Sequence, residues 1–218
     1  KKLKMKKLLL SVAILATSFG FAQTLQSDNF NTLTLGNVGT DITGATAGQA
    51  GWFTASSNGA VPTTSTNTNN TNYQIIAGGN NSTYGLQITS PNGDKGSRFM
   101  WKDGLGTAWA ARTSGNNIIE VEYDFFTGPI TDLRSQIGMR LYGNEIVGGV
   151  PTSRTLNGFV YTTNTRVLSG VAYLKNGATN GTYLITLATG GLILNANTWY
   201  RIGFAYNTTT GETIWKTS

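Results

Sequence analysis

A stretch of alternating residues near the C-terminus constrains the fold more than any other part of the chain. In residues 199–206, one set of side chains is aromatic or aliphatic: Tyr200, Ile202, Phe204 and Tyr206. The side chains between them are small or charged: Arg201, Gly203 and Ala205. A period of two is that of a β-strand with one face on an apolar core. The Asn, Thr and Gly residues of 207–211 are typical of a turn, and 213–215 begin a return strand, so the stretch predicts a β-hairpin.

Similar short strands separated by Gly, Asn and Thr recur along the chain. We predict strands at 27–36, 73–77, 84–89, 98–101, 117–126, 136–142, 158–161, 170–174 and 182–187. The first of these offers Phe30, Leu33 and Leu35 to the core. No window has a convincing helical period. Many short strands at this spacing predict an all-β fold, an antiparallel sandwich or barrel.

The N-terminus has the pattern of a secretory signal peptide. Starting from Met5, basic residues precede the apolar run 8–22, and a small residue, Ala22, marks the predicted cleavage site. The run is short for a membrane span of about 20 residues, so we expect removal of the signal peptide, with 1–4 as upstream translated sequence. No other stretch is long or apolar enough to cross a bilayer.

The composition excludes several classes of function. Five of the 16 basic residues precede the predicted cleavage site and no acidic residue does, so the remainder has a net charge of about +1 and no electrostatic case for binding nucleic acid. Cysteine is absent, which excludes disulfides and thiolate metal sites. Histidine is absent too, which removes Ser-His-Asp catalysis and His-ligated zinc.

We expect one domain, residues 24–218, because sandwiches of this size are common. Residues 54–72 are a low-complexity Ser, Thr and Asn segment, which predicts a long surface loop. The chain stops just after a strand has begun, so we expect it to be an excerpt of a longer reading frame, truncated at the C-terminus and followed by further domains.

The C-terminal hairpin, with the opening segment at 28–30 and the Gly-Trp pair at 51–52, resembles the concanavalin A-like lectin/glucanase superfamily. More narrowly, the chain looks like the laminin-G-like domains of secreted bacterial proteins. The resemblance spans roughly residue 27 to the end. It implies a two-sheet antiparallel jelly-roll sandwich that binds glycans, with a structural calcium ion in some members and no other cofactor. The signal peptide is similar to those of gram-negative bacteria, which implies a secreted or cell-surface protein.

Three acidic residues alternate on one face of the predicted strand 117–126: Glu120, Glu122 and Asp124. A related family of retaining glucanases carries alternating acids on a strand, although the identities here differ from that pattern. Residues i and i+2 on one strand face are about 6.5–7 Å apart, so Glu120 and Glu122 could reach the carboxyl separation of about 5–5.5 Å that a retaining pair needs. The alternative is a solvated outer face over an aromatic inner face, which is common in antiparallel strands.

Three tryptophans lie in or beside Gly-rich turns: Trp52, Trp101 and Trp109. Exposed aromatic rings there could stack on sugar rings, and the alternative for each is burial. Four neighbouring residues could donate or accept hydrogen bonds to sugar hydroxyls: Arg98, Lys102, Asp103 and Arg112. We expect the ligand site in this region. Trp199 and Trp215 lie within predicted strands, where core or edge packing is the favoured role.

The carboxylates of predicted turns are the candidates for calcium: Asp28, Asp94, Asp103 and Asp132. Calcium needs six to eight oxygen ligands, and no EF-hand spacing occurs. Asp28 and Asp94 are the weak candidates for a metal site, and turn formation is the favoured role.

Three functions fit these features. The leading hypothesis is a non-catalytic carbohydrate-binding or adhesion module of an exported or cell-surface protein. The second is a retaining glycoside hydrolase that uses Glu120 and Glu122. The third is a structural spacer domain with no ligand. The absence of His and of an intact acid motif favours a protein that is not an enzyme.

Overall fold

The computed structural model describes residues 22–57, 69–90 and 96–217. Every strand pair in these ranges is antiparallel, so the predicted all-β class is confirmed. The chain divides into two compact units, residues 1–116 and 117–218. Most of the predicted signal peptide, up to residue 21, lies outside the described residues. Within the described part no helix has the length and apolar character of a membrane span.

The described residues of the first unit form two small sheets. Its strands are β1 (Gly36–Asn37), β2 (Trp52–Ser57), β3 (Tyr73–Gly79), β4 (Ser82–Ile88) and β5 (Ser97–Lys102). One sheet has the order β1-β3-β4, and β2 pairs with β5 in the other. The 3-10 turns Gln49–Gly51 and Asn70–Asn72 precede β2 and β3, and the α-helix Leu105–Ala110 follows β5.

The core of the first unit differs in part from the prediction. Leu33 is buried, and it forms a cluster with Val38, Tyr73 and Ile75. Leu35 is 51% exposed, so its predicted core role is wrong. Residues 27–35 do not form the predicted strand, because Phe30 has φ 61° and the amide of Leu33 donates to the carbonyl oxygen of Phe30, which closes a turn at 30–33. Phe30 still packs against the cluster.

The predicted loop 54–72 is shorter in the structure. Residues 54–57 belong to β2 and pair with residues 97–100 of β5. Thr54 is buried, and its hydroxyl donates to the carbonyl oxygen of Asp41. A threonine hydroxyl that finds a partner can therefore extend a strand into a polar segment. Residues 58–68 lie outside the described residues.

The second unit contains longer strands. They are β6 (Ile118–Phe126), β7 (Gln136–Val147), β8 (Val150–Thr162), β9 (Val167–Asn176), β10 (Thr179–Thr186), β11 (Leu192–Ile193), β12 (Trp199–Asn207) and β13 (Thr213–Thr217). A five-stranded sheet has the order β10-β9-β8-β7, with β11 also on β9, and a three-stranded sheet has the order β13-β12-β6. The predicted hairpin is confirmed as β12 and β13.

Aromatic side chains join the two sheets of this unit face to face, as in a β-sandwich. The ring centroids of Phe159 and Phe204 are 6.1 Å apart, and those of Phe125 and Tyr161 are 5.2 Å apart. The indole N–H of Trp215 donates to the carbonyl oxygen of Gly158 at 3.0 Å. Phe125 and Phe204 are on the strand faces that alternation assigned to the core, so the predicted faces of β6 and β12 are confirmed.

Candidate functional site

Trp52 and Lys102 are directly opposite each other in the β2–β5 pair. The indole N–H of Trp52 donates to Asp28 Oδ2 at 2.8 Å, and the ammonium of Lys102 lies 3.8 Å from the same oxygen. That ammonium is also 5.8 Å from the centre of the Trp52 ring. One carboxylate therefore accepts a hydrogen bond from the indole and attracts the ammonium.

A shallow cleft of about 280 Å³ begins at this pair. It is lined by Leu25, Gln26, Ser27, Lys102, Asp103, Gly104 and Leu105. The backbone turns away from β5 at Gly104, where φ is 100°, a conformation that glycine adopts without strain. The cleft wall thus carries an ammonium, a carboxylate and the polar side chains of residues 26 and 27. Two predicted ligand residues, Lys102 and Asp103, line this cleft, and a third, Trp52, lies beside it next to Lys102.

Trp101, also predicted to bind ligand, packs within the first unit. Its ring lies parallel to that of Phe53, with centroids 5.5 Å apart and an interplanar angle of 11°. A Cβ atom added to Gly44 would lie 2.5 Å from the indole, so Gly44 makes room for it. Arg98 is half-buried on the same strand, and burial lowers the pKa of its guanidinium because it disfavours the charged form.

Trp109 and Arg112 form a separate contact at the end of the helix Leu105–Ala110. The guanidinium carbon of Arg112 lies 3.7 Å from the centre of the Trp109 ring, a cation–π geometry. Its Nε donates to Asn116 O at 2.8 Å and one terminal nitrogen donates to Trp109 O at 3.0 Å. These bonds fix the guanidinium over the indole, and neither Trp109 nor Arg112 lines the cleft.

The two metal candidates give no cluster. Asp28 accepts from the amide of Phe30 through Oδ1 and from Trp52 through Oδ2, so it serves the turn and the indole. Asp94 lies outside the described residues. Among the described residues, no group of three or more carboxylates is arranged to hold a metal ion.

Asp41 is an ordered carboxylate that the sequence analysis missed. It accepts from the amides of Thr43, Ala45 and Thr46 at 2.7–2.9 Å and from the Thr43 hydroxyl at 2.7 Å. These hydrogen bonds stabilise the charged form and hold the pKa of Asp41 well below its usual range. The Asp-x-Thr pattern at 41–43 is typical of an Asx-turn and could have indicated it.

The acidic strand face of β6 points away from the aromatic core and is paired with cations. The side chains of Glu120 and Glu122 are 60% and 46% exposed, and both lie near the ammonium of Lys216, at 3.9 and 3.3 Å. Asp124 is 17% exposed and accepts two hydrogen bonds from Arg201, at 2.9 and 3.0 Å. These bonds raise the pKa of the Arg201 guanidinium. The predicted alternation of the acids is confirmed, and their catalytic role stays a prediction.

Trp199 lies on this same face, although the sequence analysis assigned it to packing. It is 38% exposed and is opposite Phe126, which is 44% exposed, with ring centroids 5.3 Å apart. The alternation of β12 could have indicated this, because Trp199 and Arg201 are two residues apart and share a face.

Comparisons of the chain with family models, with curated proteins and with solved structures give no match. The function is therefore inferred from the chemistry of these side chains.

Proposed function

We propose that this chain is a carbohydrate-binding or adhesion module of an exported protein, with a concanavalin A-like jelly-roll fold. The observation that carries the proposal is the convergence of Trp52, Lys102 and Asp103 beside one cleft. Residue 52 comes from β2, and residues 102–103 come from the end of β5. The signal peptide predicted from the sequence supports export.

The cleft has the chemistry that a hydroxylated ligand needs. A hydroxyl group both donates and accepts hydrogen bonds. The ammonium of Lys102 can donate to it, and the carboxylate of Asp103 can accept from it. Gln26 and Ser27 add an amide and a hydroxyl to the same wall. A volume of about 280 Å³ is at the lower end for small-molecule sites, which favours one sugar ring at the end or branch of a glycan.

The proposal is tested by titration of glycans into residues 24–218 by calorimetry. We expect Lys102→Met and Asp103→Asn each to weaken binding by about tenfold or more, because each removes a hydrogen bond from a charged group. Lys175→Met, at an exposed site in the second unit, is the matched control and should bind like the wild type. Wild-type affinity in both cleft variants would reject the cleft as the site.

A retaining glycoside hydrolase is the second candidate, and one observation favours it. One carboxylate oxygen of Glu120 and one of Glu122 lie 3.9 and 3.3 Å from the ammonium of Lys216, so these two oxygens are at most about 7.2 Å apart, a range that includes the carboxyl separation of about 5–5.5 Å of a retaining pair. Sugar release that is lost in Glu120→Gln, with glycan binding retained, would establish the hydrolase and overturn the pure binding module. A chain that binds no glycan and releases no sugar would instead fit the structural spacer.

A further inference from the structure

The second unit carries a polar and aromatic surface that the cleft does not use. The strands β6, β12 and β13 turn one face to the core, so alternation places the intervening side chains on the opposite side. We call this side the outer face; its members are Glu120, Glu122, Asp124, Phe126, Trp199, Arg201 and Lys216. Each of these residues is exposed or half-buried.

The aromatic end of the outer face is a pair of adjacent rings. Phe126 and Trp199 are directly opposite each other in the β6–β12 pair, with an interplanar angle of 46°. A single exposed aromatic ring needs no explanation, whereas these two rings adjoin and form one apolar surface, tilted between the rings, which we call the aromatic platform. The faces of sugar rings carry C–H groups that pack on such a platform.

Two residues further along each strand, the next pair on the outer face is Arg201 and Asp124. Its two parallel hydrogen bonds fix the guanidinium plane beside the aromatic platform. An arginine has five N–H donors, so donors remain for a ligand after this two-point contact. An apolar surface and hydrogen-bond donors therefore lie side by side on neighbouring strands.

The outer face has three carboxylates and two cations, because Lys216 lies near both Glu120 and Glu122, so its net charge is about −1. Lys216 contacts Glu122 and Arg201 contacts Asp124, so each cation lies against a carboxylate. A surface of this kind has no excess positive charge to attract a polyanion and little excess negative charge to attract a polycation. It is complementary to a neutral ligand that is rich in hydroxyl groups.

We propose that the outer face binds an extended, neutral polysaccharide, with a sugar ring stacked on Trp199 and Phe126 and hydroxyls bonded to Arg201 and Asp124. From residue 126 to residue 120, β6 spans about 20 Å, which suits several sugar units. The proposal rests on the proposed glycan binding, but it concerns a different surface, in the other unit, and a longer ligand.

Affinity electrophoresis of residues 24–218 tests this surface. Each gel contains one polysaccharide: a soluble neutral glucan, mannan or xylan, or the acidic polygalacturonate. We expect the wild type to be retarded by a neutral polymer and not by polygalacturonate. Trp199→Ala should weaken retardation by about tenfold, or about 1.4 kcal/mol. Tyr142→Ala, which removes an exposed aromatic ring of β7, should have no effect.

A second variant shows whether any loss of binding comes from the missing ring or from misfolding. Trp199→Phe keeps an aromatic ring, so we expect it to retain binding and to lose the part of the tryptophan fluorescence change that comes from residue 199. Retardation of Trp199→Ala equal to that of the wild type, or retardation by polygalacturonate alone, would overturn the outer-face proposal and leave glycan binding by the cleft intact. A wild type that binds no glycan in either assay would overturn both.

Discussion

The ammonium of Lys216 on β13 lies 3.3 Å from Oε1 of Glu122 on β6, although β12 runs between these two strands. Gly203 of β12 is the direct neighbour of both residues in the strand register. A Cβ atom on Gly203 would lie 2.9 Å from Glu122 Cγ and 2.9 Å from the carbonyl oxygen of Val121. The missing side chain is therefore what allows the two charged groups to meet over the middle strand.

Gly203→Ala should destabilise the protein by about 1–3 kcal/mol, because its methyl group would crowd a backbone oxygen that cannot move away without disturbing the ladder. Urea unfolding followed by circular dichroism measures this difference. Gly106→Ala is the control, since nothing lies within 4 Å of its added Cβ and alanine favours the helix Leu105–Ala110. Equal unfolding midpoints for the two variants would contradict the packing account of Gly203.

Asp41→Asn should lower the melting temperature at pH 7, because the charged carboxylate accepts four hydrogen bonds in the folded state. The pKa of Asp41 is lowered on folding, so its contribution is complete above the unfolded value of about 3.9 and is lost as the pH falls below it. Melting curves from pH 7 to pH 2 should show the gap between wild type and variant closing below about pH 4. A difference in melting temperature that stays constant over this pH range would rule out a contribution from the lowered pKa of Asp41.

Asn157 is a polar residue in the core of the second unit. It is 1% exposed, and its amide group donates to the Thr213 hydroxyl at 2.6 Å. Within the described residues its Oδ1 atom has no hydrogen-bond partner. Replacing both partners, as Asn157→Leu with Thr213→Val, should therefore be neutral or stabilising, whereas Asn157→Asp should destabilise by several kcal/mol because it buries a charge. Urea unfolding measures the free energy of unfolding of both variants. Greater stability of Asn157→Asp than of the double variant would refute this ordering.

Tyr123 should ionise well above pH 10, because burial raises the pKa of its hydroxyl. A pKa that is higher in the folded state means that the stability is complete below the unfolded value of about 10 and is lost as the pH rises above it. Tyr123→Phe should therefore lose less stability than the wild type between pH 9 and pH 11. Ultraviolet titration of the native protein gives an independent measure, and ordinary titration of all its tyrosines would contradict the burial of this hydroxyl.

Alternation explains why the strands of the second unit were predictable. β6 and β12 each place apolar side chains on one face and polar ones on the other, and the period of two identifies both the strand and the face. β7 and β8 extend past their predicted ends, to the hairpin turn at Gly148 and Gly149. Their outer segments lack the alternation because they pair mainly with each other, and their exposed side chains include Ile146 and Val150.

The first unit was less predictable because local patterns are weak there. The helix Leu105–Ala110 is only six residues long and follows a glycine with positive φ. It is too short for apolar side chains to repeat with a helical period. Trp52 lies beside residues 102–103 because of the register of β2 and β5. The sequence did not predict β2, because most of this strand falls within the low-complexity segment 54–72. The single domain predicted for 24–218 stays a prediction beside the two compact units.

Glycan binding is the central claim, and a glycan array of residues 24–218, with and without calcium and with sugar release measured in the same samples, tests it most directly. We predict binding to at least one glycan without release of product, and loss of that signal in a variant that combines Lys102→Met with Trp199→Ala. Binding to no glycan under either condition would contradict the claim, and turnover of a bound glycan would replace the binding module by a hydrolase.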